Sequence, residues 1–227
     1  MSFKRLDILL NPNKIIPHYE NACKNNKILA PISAEFHWTS NCNYDCIHCS
    51  YGSRRQTTNY LTGKIIETLV QDLIDMNCKA IYLSGGGEPT VVKKWDQYTE
   101  QLVSGGLEVA LITNGIAILD KHIDTIRKMN YVAVSVYSTQ EDRYKEITGS
   151  KFFNRQFSLP KNIKSSKSNT IVGARCVLNK INYDEMYEIY CSAINAGFDY
   201  IIFIPAVDYE GRGVFLEDSW IDHVQRS

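Results

Sequence analysis

The segment "CNYDCIHC" places cysteines at 42, 46 and 49, three thiols within eight positions. The spacing C-x3-C-x2-C brings three soft sulfur donors into one loop, a ligand set for zinc or for an iron–sulfur centre. Three thiolates leave a tetrahedral site one ligand short. A zinc site would need His48 or a distant residue as the fourth ligand, whereas an iron–sulfur cluster on three thiolates keeps one iron with an exchangeable position. Spacing alone leaves both open. The polar spacers Asn43, Asp45 and His48 argue against three structural core cysteines. The other four cysteines, at 23, 78, 176 and 191, are scattered, and an odd total of seven argues against a disulfide framework and for a reducing compartment.

These residues need a scaffold, and the chain supplies an alternating one. "SAEFHWT" (33–39), "KAIYLS" (79–84), "LEVALIT" (107–113), "YVAVSVY" (131–137), "TIVGARCVL" (170–178) and "YIIFIPA" (200–206) read as short strands rich in β-branched and aromatic residues. Helical periodicity separates most of them. Ile65, Ile66, Leu69, Val70, Leu73 and Ile74 form one face, with Thr62 placed to cap. Leu119, Ile123 and Ile126 form a second stripe, and Asn182 with Glu185 forms a capping box opening a helix that ends near Gly197. Strands alternating with helices mean a parallel sheet with right-handed crossovers, here a partial (β/α)6 barrel of TIM type. Its active site would lie at the C-terminal mouth, where the loops converge. The cysteines follow the first strand and so belong to that mouth. "LSGGGEPT" (83–90) follows the second, with Gly85, Gly86 and Gly87 letting backbone approach a ligand and Glu88 able to accept from an amino group.

Taken together, "CNYDCIHC", "GGGEP", "LITNG" after the third strand and "VSVYS" at the fourth resemble the radical S-adenosylmethionine (radical SAM) enzymes, over residues 33 to 206. The resemblance implies a [4Fe–4S] cluster on Cys42, Cys46 and Cys49, with SAM chelating the open iron. It implies that Gly86, Gly87 and Glu88 receive the methionine amino group, and that Thr113 and Ser135 touch the SAM carboxylate or ribose. His48, before the third cysteine, stands where that family commonly has an aromatic residue flanking adenine. The implied chemistry is reductive cleavage of SAM to a 5′-deoxyadenosyl radical that takes hydrogen from a peptide or small-molecule substrate. The implied electron source is a reductant such as flavodoxin or ferredoxin. The competing reading is a zinc or iron–sulfur module without SAM chemistry.

Strand alternation sorts further residues. Glu35, His37 and Thr39, then Ala133, Ser135 and Tyr137, then Gly173, Arg175 and Asn179 should face the barrel interior. Arg175 then needs a partner: the SAM carboxylate, which would make it a cofactor ligand, an acidic substrate, or Glu35. After the sixth strand, Asp208, Tyr209 and Arg212 should reach the mouth.

Bulk properties bound the rest. With 25 Lys plus Arg against 25 Asp plus Glu, the 227-residue chain has no general pull toward nucleic acid or anionic membrane. Residues 147–183 hold seven basic and no acidic residues, read as a solvated surface segment. No apolar run suits a signal peptide or a membrane span, so the expected location is cytoplasmic. Residues 1–32 read as an irregular lead-in, 33–213 as the core domain and 214–227 as the start of a further helix.

Overall fold

In the computed structural model the described residues are 16–17, 19–20, 23–24, 31–52, 60–164 and 168–216. The expected lead-in therefore lies largely outside them, as does the expected final helix beyond Leu216.

Six strands form one sheet in sequence order, every neighbouring pair parallel. They are β1 (Ser33–Phe36), β2 (Ala80–Leu83), β3 (Glu108–Thr113), β4 (Tyr131–Ser135), β5 (Ile171–Leu178) and β6 (Tyr200–Pro205). Helices α1 (Gly63–Asp75), α2 (Trp95–Ser104), α3 (Ile123–Ile126), α4 (Glu141–Thr148), α5 (Leu159–Lys164) and α6 (Met186–Ala196) cross between them. Each of the six expected strands is present, and the architecture is the partial barrel that the alternation implied.

The register carries one parity around the barrel. Outward residues such as Phe36, Leu83, Leu111, Val132, Val134, Val172 and Cys176 join Ile66, Val70, Leu102, Ile126, Ile163 and Ile189 of the helices in the main core. Inward residues Ala80, Ala110, Tyr131 and Ala133 form a separate floor inside the barrel, flanked by Tyr82, Ile112, Ile171 and Tyr200. Alanines at 80, 110 and 133 keep that floor thin beneath the tyrosines that cover it.

Local sequence signals set some helix ends, and tertiary contacts set others. Thr62 caps α1, its side chain accepting from the Ile65 N–H at 3.4 Å, and α6 stops at Gly197, whose φ of 95° is left-handed. The apolar stripe of α1 is wider than the face it buries: Ile66 and Val70 are buried, while Ile65 is 46% exposed. The stripe from 119 to 126 shortens to the single turn of α3, preceded by a 3-10 turn, Asp120–His122. Leu119 is 53% exposed there, because the turn is closed by His122, whose Nδ1 accepts from the Leu119 N–H at 3.1 Å.

The capping box at Asn182 and Glu185 does not form. Asn182 Nδ2 donates to the Tyr137 and Val177 carbonyls at 2.7 and 3.1 Å, and its Oδ1 accepts from the Asn179 N–H. Glu185, buried, accepts from the Ser138 hydroxyl at 2.5 Å. Asn182 fastens the ends of β4 and β5 by satisfying their backbone groups, and Glu185 ties the segment after β4 through the Ser138 hydroxyl. Among the described residues, no helix is long and apolar enough to cross a membrane.

Trp38 anchors the exit of β1. Fully buried, it packs against Phe36 and Tyr98, and its Nε1 donates to the Pro89 carbonyl at 3.0 Å in the loop after β2. Trp38→Ala should lower unfolding free energy by about 3–5 kcal/mol in urea titrations. A loss below about 1 kcal/mol would show that this ring does not hold the exit of β1.

Candidate active site

At the C-terminal ends of the strands lies one open cavity of about 690 Å3. Cys42, Cys46, Cys49, His48, Gly86, Gly87, Glu88, Thr113, Ser135 and Arg175 all line it. Every residue singled out from the resemblance thus reaches the same space, from the loops after β1 and β2 and the ends of β3 and β4, and Arg175, placed inward by alternation, joins them from β5.

The cysteine loop is held by its own contacts. The Asp45 and Ile47 N–H groups donate to the Thr148 and Ile147 carbonyls at 2.8 and 2.9 Å, so the loop extends off the end of α4. Tyr44, Cys46, Tyr137, Tyr144 and Ile147 form an apolar cluster beneath it, and the Tyr44 and Tyr144 hydroxyls are hydrogen bonded to each other. The Tyr44 N–H points at Cys42 Sγ, 3.4 Å away. Cys46 is buried, Cys49 partly so, and Cys42 exposed. Among the described residues no three His, Cys, Asp or Glu side chains converge closely enough to hold a single metal ion.

Glu88 is 3% exposed and ties three loops together. Its Oε1 accepts from the Thr90 N–H (3.1 Å), the Thr90 hydroxyl (2.5 Å) and the Thr113 hydroxyl (2.6 Å), and its Oε2 accepts from the Asn114 N–H (2.7 Å). The Glu88 N–H donates to the Asn41 carbonyl at 2.8 Å, beside the first cysteine. Burial pushes its carboxyl above the usual range, and the donors from Thr113, Thr90 and Asn114 pull the other way. A carboxylate has about four acceptor directions, so most of its capacity is already used internally. The side chain of Asn114 adds a third tie, donating to Asn43 Oδ1 at 2.7 Å. Gly87 makes this closeness possible: a Cβ there would run into the Asn41 and Ser40 backbone.

His48 lies beside Tyr137, ring centroids 5.2 Å apart. Burial drives its pKa down to about 4, leaving a neutral imidazole, and its Nδ1 is buried without a hydrogen-bond partner. Three thiols, an unpartnered imidazole nitrogen and two close-packed glycines around one cavity suit a sulfur-ligated cofactor together with an organic ligand.

Several inward expectations need correction. Glu35 lines the cavity, but His37 is exposed and bonds Glu35 at 2.9 Å instead of entering the core. Thr39 is drawn into an antiparallel bridge with Tyr60 and faces a separate depression. Asn179 closes the loop after β5, its Oδ1 accepting from the Ile181 N–H, because the strand ends at Leu178 and alternation ends with it. Of the β6 loop residues, Tyr209 lines the cavity. Asp208 accepts the N–H groups of Arg212 and Gly213 at 2.8 and 2.6 Å, and Arg212 pairs with Glu210. The basic residues of 147–183 do not form one solvated face: Arg155 donates to the Ile118 carbonyl, Lys164 pairs with Asp199, and Arg175 enters the cavity. Tyr44, Tyr82 and Asn114 also line the cavity, beyond the residues expected from the sequence. Alternation in "KAIYLS" could have found Tyr82, since Ile81 and Leu83 face outward.

Comparison with known proteins places this geometry. The family model described as the radical SAM superfamily matches residues 37–191. GTP 3',8-cyclase of Clostridium botulinum (strain Okra / Type B1) is 27% identical over 199 residues, covering 81% of this chain and 59% of the cyclase. Mycofactocin maturase MftC of Mycolicibacterium smegmatis is 24% identical over 195 residues, covering 85% of this chain and 48% of the maturase. The chain therefore spans about half the length of the curated relatives it matches. Streptococcus suis SuiB superposes with a TM-score of 0.72 when bound to S-adenosylmethionine and 0.69 when bound to precursor peptide SuiA. At 16% identity, over 94% and 100% of this chain and 50% and 54% of SuiB, that likeness is one of fold. By the family match over two thirds of its length and the shared barrel, this chain belongs to the radical SAM superfamily.

Proposed function

We infer that the chain carries the catalytic core of a radical SAM enzyme, with Cys42, Cys46 and Cys49 as the thiolate ligands of a [4Fe–4S] cluster and SAM beside them. The observation that carries this is the meeting of the three cysteines, Gly86 to Glu88, Thr113 and Ser135 around one cavity at the C-terminal ends of parallel strands. Bound there, the cluster and SAM would supply one-electron cleavage of the sulfonium to methionine and a 5′-deoxyadenosyl radical that abstracts hydrogen from the substrate.

The chain's own residues then have separate tasks. The Asn41 carbonyl and the Asn43 side chain fix the cysteine loop against the loops after β2 and β3, and the Tyr44 N–H bonds Cys42 within it. Gly86 and Gly87 bring backbone to the cavity wall, and Glu88 keeps an acceptor direction on Oε2 for the methionine ammonium. Thr113 and Ser135 face the carboxylate or ribose, and His48 offers a neutral ring to the adenine. Tyr44, Tyr137 and the β6 loop restrict water around the thiolates. The substrate is a peptide or a small molecule. SuiB bound to SuiA supports the first, and GTP 3',8-cyclase the second. The electron donor is a flavodoxin- or ferredoxin-type protein.

Anaerobic reconstitution should load four irons and four sulfides on the chain. Each of Cys42→Ala, Cys46→Ala and Cys49→Ala should abolish loading, while alanine at Cys23 or Cys191 should not. Zinc in place of iron in freshly purified anaerobic protein, or equal dependence on Cys191, would overturn the ligand assignment.

Glu88→Gln keeps the shape of the side chain but replaces one carboxylate oxygen by an NH2 group that cannot accept. SAM affinity, titrated on cluster-loaded protein, should fall about tenfold or more. Glu88→Ala strands the donors of Thr90, Thr113 and Asn114 in a buried site, and should lower stability by about 3–5 kcal/mol in urea. Unchanged SAM affinity in Glu88→Gln would confine Glu88 to its structural ties.

A further inference from the structure

Among the residues lining the cavity, formal charge falls on Glu35, Glu88 and Arg175, the last being the cation among them. Glu88 meets four internal donors, and its spare Oε2 direction is the one assigned to the SAM ammonium. Glu35 bonds His37, which with Ser84 holds its carboxyl below the usual range. Arg175 is different. Its Nη1 donates to the Tyr82 hydroxyl at 3.0 Å, and among the described residues it makes no ion pair.

The surroundings hold the guanidinium in place without an ion pair: Glu35 is near enough for its charge to be felt, but it is engaged with His37 and makes no salt bridge to Arg175. Arg175 stands one layer above Gly173 on the inward face of β5, in register with Ser135 and Ile202. Gly173 leaves the space that the Tyr200 ring fills, since a Cβ there would meet that ring at 2.7 Å. Tyr200 in turn stacks on Tyr131, their planes 4° apart, closing the floor below. Burial raises the Tyr82 hydroxyl to about 12, so at neutral pH it is an uncharged partner. A half-buried guanidinium with one neutral partner is an electrostatic site waiting for an anion. Its five donors in a planar fork match a carboxylate or a phosphate in a bidentate contact.

We propose that Arg175, oriented by Tyr82, seats an oxyanion of the substrate, a carboxylate or a phosphate group, inside the barrel and beneath the loops assigned to the cofactor. This rests on the reading of the cavity as a radical SAM site and narrows the substrate to a molecule or peptide bearing such a group. The alternative source of an oxyanion is the carboxylate of SAM itself, and the test separates the two.

Anaerobically reconstituted protein saturated with SAM is titrated calorimetrically with inorganic phosphate and with succinate at constant ionic strength, with chloride as the control. Wild type should bind at least one of them, and Arg175→Gln should weaken that binding about tenfold or more, Arg175→Lys less. Tyr82→Phe keeps the charge but frees the fork, and should weaken it about threefold. SAM affinity, titrated separately, should stay within about twofold in all three variants. Cluster content and melting temperature check folding, and Arg175→Lys with Tyr82→Phe carry the test if Arg175→Gln does not fold. Absence of binding beyond chloride in wild type, or equal binding in Arg175→Gln, overturns the proposal. A matching fall in SAM affinity overturns it in favour of a cofactor contact. Failure of wild type to load cluster or cleave SAM removes the underlying reading as well, whereas intact loading and cleavage without anion binding removes only the role of Arg175.

Discussion

The Glu88 carboxylate is the tie on which the mouth of the barrel depends. It collects donors from Thr90, in the turn after its own loop, and from Thr113 and Asn114 at the end of β3. Its backbone N–H fastens the same loop to Asn41. A buried carboxylate is stable only when its lone pairs are met, and here they are met by groups from neighbouring strand ends. The loops after β1, β2 and β3 therefore hold a fixed relation to one another although no regular structure joins them. Replacing any one donor would leave the others pointing at a charge with less compensation, which is why such networks act as units.

Parity along the strands does the complementary work inside. Because neighbouring strands are in register, outward residues meet helices and inward residues of β2 to β6 meet each other. Alanines on β2, β3 and β4 keep the floor shallow in volume, and the tyrosines of β4 and β6 cover it. The space above that floor is thus a consequence of side-chain size, with the loops supplying its rim. Arg175 and Tyr82 occupy the level between the two, where a polar pair is wet enough to be tolerated and enclosed enough to select a ligand.

The cysteine loop reaches its position by a different route. It leaves β1 after Trp38, whose ring reaches the Pro89 carbonyl, and returns along the end of α4 through backbone bonds to Ile147 and Thr148. Aromatic packing of Tyr44 with Tyr137 and Tyr144 gives it a small core of its own. Soft ligands on a loop are held only as well as the loop is held, and here two hydrogen-bonded sides and an apolar underside do so.

What the sequence determined by itself was the part governed by short-range pattern. β-branched runs located every strand, period-2 alternation assigned Tyr137, Gly173 and Arg175 to the interior, and three cysteines beside a Gly-Gly-Glu carried the family resemblance. Where the strand ends, alternation loses its meaning, so Thr39 and Asn179 turned elsewhere. The spacing of Asn182 and Glu185 fitted a helix cap, but backbone groups at the ends of β4 and β5 claimed Asn182 and the Ser138 hydroxyl claimed Glu185. Only the tertiary structure decided that Glu88 would spend most of its acceptor capacity on Thr90, Thr113 and Asn114, because those donors lie on a neighbouring strand end or around a tight turn. The partner of Arg175 was likewise beyond pattern: Tyr82 is 93 positions away in sequence, and the curvature of the sheet brings the two across the barrel. Sequence fixes which residues face inward, and closure of the sheet fixes which of them meet.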